Sequence, residues 1–171
     1  MILPPTTLLR LLIVCFRPLN TGLRGTTFVS VVDPGVGSSR KSVVALTKTG
    51  QYIVTPDNGT LSYIKKVVGI EAVREISEVE NRRSNTELSY TFHGRDVYAY
   101  TGAKLASGHI SFEEVGPELP VDKILELPVV ETIIEDNLVR GAIDILDVRF
   151  GSLWTSITRD DFYALEPNFG D

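Results

Sequence analysis

The sequence predicts a mixed α/β domain followed by the beginning of a small all-β unit. Three observations carry this. Up to about residue 106, short β-branched runs are separated by Gly, Pro, Asn and Asp turn signals and interrupted by stretches with helical spacing. From Pro128 onward, apolar runs follow one another with no long helical stretch between them. The chain has 171 residues, 43% hydrophobic and 23% charged, which is enough to bury the core of one ordinary domain.

Taken in order, Pro4-Pro5 and Thr6-Thr7 mark a turn and the start of a helix running to about Phe16. Residues 17–25 contain Pro18, Asn20, Gly22 and Gly25 and read as a loop. Residues 26–32 are rich in β-branched side chains and end at Asp33-Pro34-Gly35, a strand running into a tight turn. Residues 42–46 and 52–55 form two further strands joined through Thr49-Gly50. Pro56-Asp57-Asn58-Gly59 is a turn, residues 60–68 a helix and residues 72–76 a strand. Asp96 is the expected cap of a helix over 97–106, whose Ala99, Ala103 and Ala106 share one side before Gly108 ends it. Residues 111–127 hold Gly116, Pro117 and Pro120 and read as irregular. Strands are expected at 129–134, 138–148 and 153–157. The polar cluster Glu135-Asp136-Asn137 sets the expected boundary, giving domains 1–135 and 136–171.

Several function classes are excluded. The net charge is −5 with both signs dispersed, and no Lys/Arg block marks a nucleic-acid or membrane surface. Arg82-Arg83 is flanked by Glu78, Glu80 and Glu87 and reads as solvated surface. The lone Cys15 excludes an internal disulfide and a Cys-rich metal site, and with only His93 and His109 no zinc site is expected. The apolar run 8–16 contains Arg10, lacks a basic start and is shorter than the ~20 residues of a membrane span, so it reads as a core-facing helix of a cytoplasmic protein.

Three segments could carry chemistry. Asp33-Pro34-Gly35-Val36-Gly37-Ser38-Ser39-Arg40 delivers a carboxylate to a strand end, where glycines let backbone approach a ligand. Pro56-Asp57-Asn58-Gly59 repeats the order strand, polar turn, helix, and Phe92-His93-Gly94-Arg95-Asp96 precedes a helix. Alone, the first two also read as structural turns and His93 as a satisfied core or surface histidine.

Together, they resemble the signature of the S-adenosylmethionine hydroxide adenosyltransferases, a family related to the fluorinases and chlorinases. Residues 31–40, 56–59 and 91–96 match its pattern, and residues 145–157 resemble the strand that leads into its C-terminal domain. The resemblance covers roughly residues 26–163. It implies an α/β sandwich domain, a barrel-like C-terminal β domain, and a homotrimer that binds S-adenosyl-L-methionine between neighbouring subunits. It implies hydrolysis to adenosine and L-methionine with no metal and no cofactor. Asp33, Arg40 and His93 map onto the set that distinguishes hydrolases from halogenases, which disfavours halide chemistry. Asp147 maps onto the acidic residue holding the methionine ammonium; Phe150, Ser152 and Trp154 map onto the adenosine-facing segment, and Asp57 and Asn58 lie near the site. For Trp154, core packing is the favoured alternative.

The chemistry needs a water held in line behind the ribose 5′ carbon, because the sulfonium already makes methionine a good leaving group. An ionised Asp33 paired with Arg40 would orient that water. Imidazole, which ordinarily titrates near neutrality, suits His93 to accepting the proton.

Three departures favour a competing reading, an inactive adenosine-binding remnant. No Asp precedes Asp33 to clamp the ribose hydroxyls. Ser152 and Ser156 stand where the family has Asn, and a hydroxyl cannot supply an amide's paired donor and acceptor. The match is poor before Gly25, and Asp171 falls early in the C-terminal domain, so the chain is expected to be truncated at both ends and its trimer weakened.

Overall fold

A computed structural model describes residues 22–88, 91–128 and 130–167. The expected helix over 6–16, with Cys15, lies outside the described residues. The chain divides into two compact units, residues 1–127 and 128–171.

The first unit is built on a five-stranded sheet in the order β1-β3-β2-β4-β5. Its strands are β1 (Thr27–Val29), β2 (Ser42–Thr47), β3 (Tyr52–Pro56), β4 (Ile70–Glu75) and β5 (Glu118–Leu119). β1 runs parallel to β3, and the remaining pairs are antiparallel. Strand alternation sorts the core into two faces. Val43 and Ala45 of β2 face one side with Ile53 and Val73, and there they meet Ile64 of helix α1 (Ser62–Val67) and Leu61 at its N-cap. Val44 and Val54 face the other, against Val97, Tyr98 and Leu105. The unit is therefore a helix–sheet–helix sandwich.

The second helix starts earlier than expected. Its first turns, Gly94–Ala99, are π-helical with His93 at the N-cap position, and α2 (Tyr100–Ala106) continues them. Asp96 is thus not the cap. It is fully buried inside the opening turn, where Arg95 donates two hydrogen bonds to its carboxylate at 2.7 and 2.9 Å. Those bonds hold the Asp96 carboxyl below its ordinary range. Gly102 lets α2 lie close on β1, since a Cβ there would come within 2.5 Å of Val29 Cγ2. β1 ends three residues before the expected strand end, although Ser30 N–H still donates to Val54 O at 3.0 Å. Residues 111–127, expected to be irregular, hold β5 and the short 3₁₀ turns Glu113–Val115 and Val121–Lys123.

In the second unit, β6 (Ile133–Glu135) pairs with β7 (Leu138–Arg140), and β8 (Ile143–Asp147) pairs with β9 (Ser152–Thr155). A short α3 (Arg159–Tyr163) follows, closed by a capping box between Thr158 and Asp161. The expected strand over 138–148 is split at Gly141-Ala142. Among the described residues the sheets are separate hairpins and no barrel closes. Ser156 links them by side chain and backbone, donating to Ala142 O (2.9 Å) and accepting from Ala142 N–H (2.9 Å) and the Thr132 hydroxyl (3.0 Å). Residues 135–137 are no linker, because Asp136-Asn137 is the tight turn of the first hairpin. The division falls instead at Leu127-Pro128, where the composition changes.

Gly116 sits at φ 150°, and a Cβ there would meet the Glu75 carbonyl at 2.2 Å and the Ser77 amide nitrogen at 2.8 Å. Neither backbone group can move without disturbing the end of β4. Gly116→Ala should therefore lower unfolding free energy by roughly 2–4 kcal/mol, measured by urea denaturation.

Candidate functional site

The loop from β1 to β2 folds on itself through local bonds. Val36 N–H donates to Asp33 O at 3.3 Å, and the Ser38 hydroxyl donates to Gly35 O at 2.7 Å. These turns bring Arg40 back onto Asp33, and the two form a salt bridge whose side chains are only 12% and 6% exposed. Arg40 Nη1 also donates to Lys41 O at 3.0 Å and to the Tyr98 hydroxyl. Ser42 donates to that same phenolic oxygen at 2.9 Å. One carboxylate oxygen of Asp33 is committed to Arg40. The other, Oδ1, is buried without a hydrogen-bond partner among the described residues, as is Arg40 Nε. A buried carboxylate oxygen with spare accepting capacity is suited to hold a water or a ligand hydroxyl.

Asp57 and Asn58 sit beside this loop with their side chains engaged in structure. Asn58 Nδ2 donates to Val32 O at 2.8 Å, fixing the residue before Asp33, and the Thr60 hydroxyl donates to Asn58 Oδ1. Asp57 Oδ1 accepts from Leu125 N–H at 2.9 Å. Burial raises the Asp57 carboxyl above its ordinary range, opposed by the Leu125 bond and by Lys41 and Arg40.

His93 is buried at the start of the π turn, with Nε2 3.4 Å from Glu78 Oε1. Glu78 also accepts from Arg82 Nη1 at 2.6 Å. The helix start abuts the chain leading into Asp33, since a Cβ on Gly94 would lie 3.7 Å from Val31 Cγ1. Glu78 was not singled out from the sequence, where it reads as a solvated partner of the arginine pair. Tyr98 was also missed. It is fully buried, and burial pushes its hydroxyl up to about 12, with the bond from Ser42 and the charge of Arg40 acting in the opposite direction.

The remaining candidates belong to the second unit. Asp147 and Ser152 are cross-strand partners at the closing end of the β8–β9 hairpin. Asp147 Oδ1 accepts from Arg149 N–H at 3.1 Å. Phe150, at the hairpin tip, is 84% exposed, whereas Trp154 is half-buried opposite Ile145. No group of three or more metal-ligating side chains occurs among the described residues, and no described helix is long and apolar enough to cross a membrane.

The fold and this cluster define an α/β domain with a buried acid–guanidinium pair in the loop that follows its first described strand. Residues 14–116 match the model of the SAM hydroxide adenosyltransferase N-terminal domain, and the chain belongs to that family. An (R)-S-adenosyl-L-methionine hydrolase of Methanocaldococcus jannaschii is 38% identical over 78% of this chain and 43% of its own length. One from Thermus thermophilus is 34% identical over 92% of the chain and 60% of its own length. The crystal structure of an uncharacterized conserved protein from Thermotoga maritima superposes with a TM-score of 0.89 at 36% identity, covering 99% of this chain and 62% of that one. The chain thus spans about half the length of the curated relatives it matches.

Two outcomes are expected. Asn58→Ala removes the bond that fixes Val32 and should cost about 1–2 kcal/mol of stability, read by urea denaturation. Tyr98 also sets a pH dependence. Because its folded value lies above the ordinary value of 10, its contribution is fully present below pH 10 and is lost as pH rises through about 12. Stability measured from pH 9 to 12 should fall more steeply in the native protein than in Tyr98→Phe.

Proposed function

We propose that this chain acts in the hydrolysis of S-adenosyl-L-methionine to adenosine and L-methionine. The observation that carries the reading is the buried Asp33–Arg40 pair with its spare carboxylate oxygen, in a chain of this family. The names of the relatives support it.

In this reading, Asp33 Oδ1 accepts a hydrogen bond from a water and aims its lone pair at the ribose 5′ carbon. Arg40 fixes the carboxylate and neutralises its charge, so that burying it is tolerable. The water oxygen forms a bond to the 5′ carbon as the carbon–sulfur bond breaks, and methionine leaves as a neutral thioether with that electron pair. The water's proton passes to His93, whose imidazolium Glu78 would stabilise. In the trimer of this reading the second unit of a neighbouring subunit completes the site, with its Asp147 holding the methionine ammonium and its Phe150, Ser152 and Trp154 meeting the adenosine. Because their side chains are tied to backbone, Asp57 and Asn58 shape the loop around Asp33. A homotrimeric cytoplasmic enzyme using no metal and no cofactor is the form in which we propose this chemistry.

Incubation with S-adenosyl-L-methionine should yield adenosine and L-methionine in equal amounts by chromatography. His93→Ala should lower turnover by about 10²–10⁴. Arg40→Lys should also lower it, because an ammonium cannot replace a planar fork. Adenosine binding without turnover would reassign the chain as a binding module. A halogenated nucleoside formed only with added halide would move it to the other branch of the family.

A further inference from the structure

We propose that Tyr98 is a positioning residue for this reaction: its hydroxyl locks Arg40, and through Arg40 the orientation of Asp33. The inference rests on the hydrolase reading and adds to it a residue that does not touch substrate.

The geometry separates the ring of Tyr98 from its hydroxyl. The ring packs in the core face formed by Val44, Val54, Val97 and Leu105, a place that phenylalanine would fill equally well. The ring also lies under the Arg40 guanidinium, 5.7 Å from its centroid, a contact phenylalanine would keep, whereas the hydroxyl adds the hydrogen bonds, accepting from Arg40 Nη1 and bonded to Ser42 Oγ at 2.9 Å. Arg40 has one terminal nitrogen on Asp33, and the other is shared by Tyr98, Ser42 and Lys41 O. A guanidinium is planar, so holding both terminal nitrogens sets its plane. Of the three acceptors on Nη1, Lys41 O and Ser42 Oγ directly follow Arg40 in its own segment and move with it, whereas the Tyr98 hydroxyl is anchored from the helix. The plane of Arg40 decides where the committed oxygen of Asp33 sits, and hence where the spare oxygen points.

The π turn gives this contact its direction. A turn closed between residues five apart sets Tyr98 over His93, where an α-helix would set Val97. Residue 98 therefore faces the same side as residue 93, whose neighbour Gly94 abuts Val31 on the approach to Asp33.

The test is a kinetic double-mutant cycle on the whole chain. Tyr98→Phe should lower kcat about tenfold, equivalent to ~1.4 kcal/mol in the barrier, with KM within about twofold. In an Arg40→Lys background, Tyr98→Phe should cause no further loss, because the interaction it removes is already gone. Thermal melts check that both variants fold. Unchanged kcat in Tyr98→Phe, or effects that simply multiply, would overturn the proposal. If the native chain forms no adenosine, the hydrolase reading fails on its own, and the same cycle read as urea midpoints decides the contact. Non-additive midpoint shifts support the lock on Arg40, and additive shifts overturn it.

Discussion

The structure around the site is organised by one constraint, that a carboxylate and a guanidinium have been taken out of water together. Burying either charge alone is prohibitive, and the pair is tolerable only when its geometry is fixed and its remaining hydrogen-bonding groups are met. Nearby features can be understood as meeting that demand. The two turns of the loop bring Arg40 back to Asp33, and Lys41 O, Ser42 and Tyr98 take up one of its terminal nitrogens. Asn58 holds the chain just before Asp33. Among the described residues two groups remain unmet, Asp33 Oδ1 and Arg40 Nε, and the oxygen keeps its capacity to accept a hydrogen bond.

Much of this was legible in the sequence. Short, nearly continuous apolar runs in Ser42–Thr47 and Tyr52–Pro56 announced strands because both faces of the sheet are covered, and the Gly- and Asp-bearing turns announced where the strands end. The Asp33-to-Arg40 spacing was readable because the glycines and Ser38 close local turns that need no distant partner. Features that depend on a partner far along the chain were not readable. Glu78 meets His93 only because the strand β4 and the helix pack on the same core, and nothing local to Glu78 says so.

The misread elements share a cause. Asp96 was assigned as a cap because an acid before an apolar run favours that role, but Arg95 beside it supplies enough hydrogen bonding to let it be buried within the first turn of the helix. Asp136-Asn137 looked like a linker because a polar pair fits a linker and a two-residue hairpin turn equally well. Tyr98 drew no attention in the sequence because a tyrosine in a helix reads equally well as packing, and its hydroxyl meets Arg40, 58 positions earlier. In each case local composition allowed two structures, and tertiary pairing chose between them.

The wide turn at Gly94–Ala99 also separates the helix into two rotational phases. Residues from Tyr100 onward keep the orientation that packs Leu105 into the core and lays Gly102 on β1. His93, on the near side of the wide turn, is rotated relative to an unbroken α-helix by about the 100° that one residue spans at 3.6 residues per turn. Loss of one residue here would close the turn into a regular helix without disturbing the core, and the phenol, then four residues after the imidazole, would keep its place over it. Tightening the turn at its present length would instead set Val97 over His93 and turn the phenol away. Chain length and turn width in this segment are therefore tied: one cannot change without the other if the imidazole and the phenol are to stay on one side.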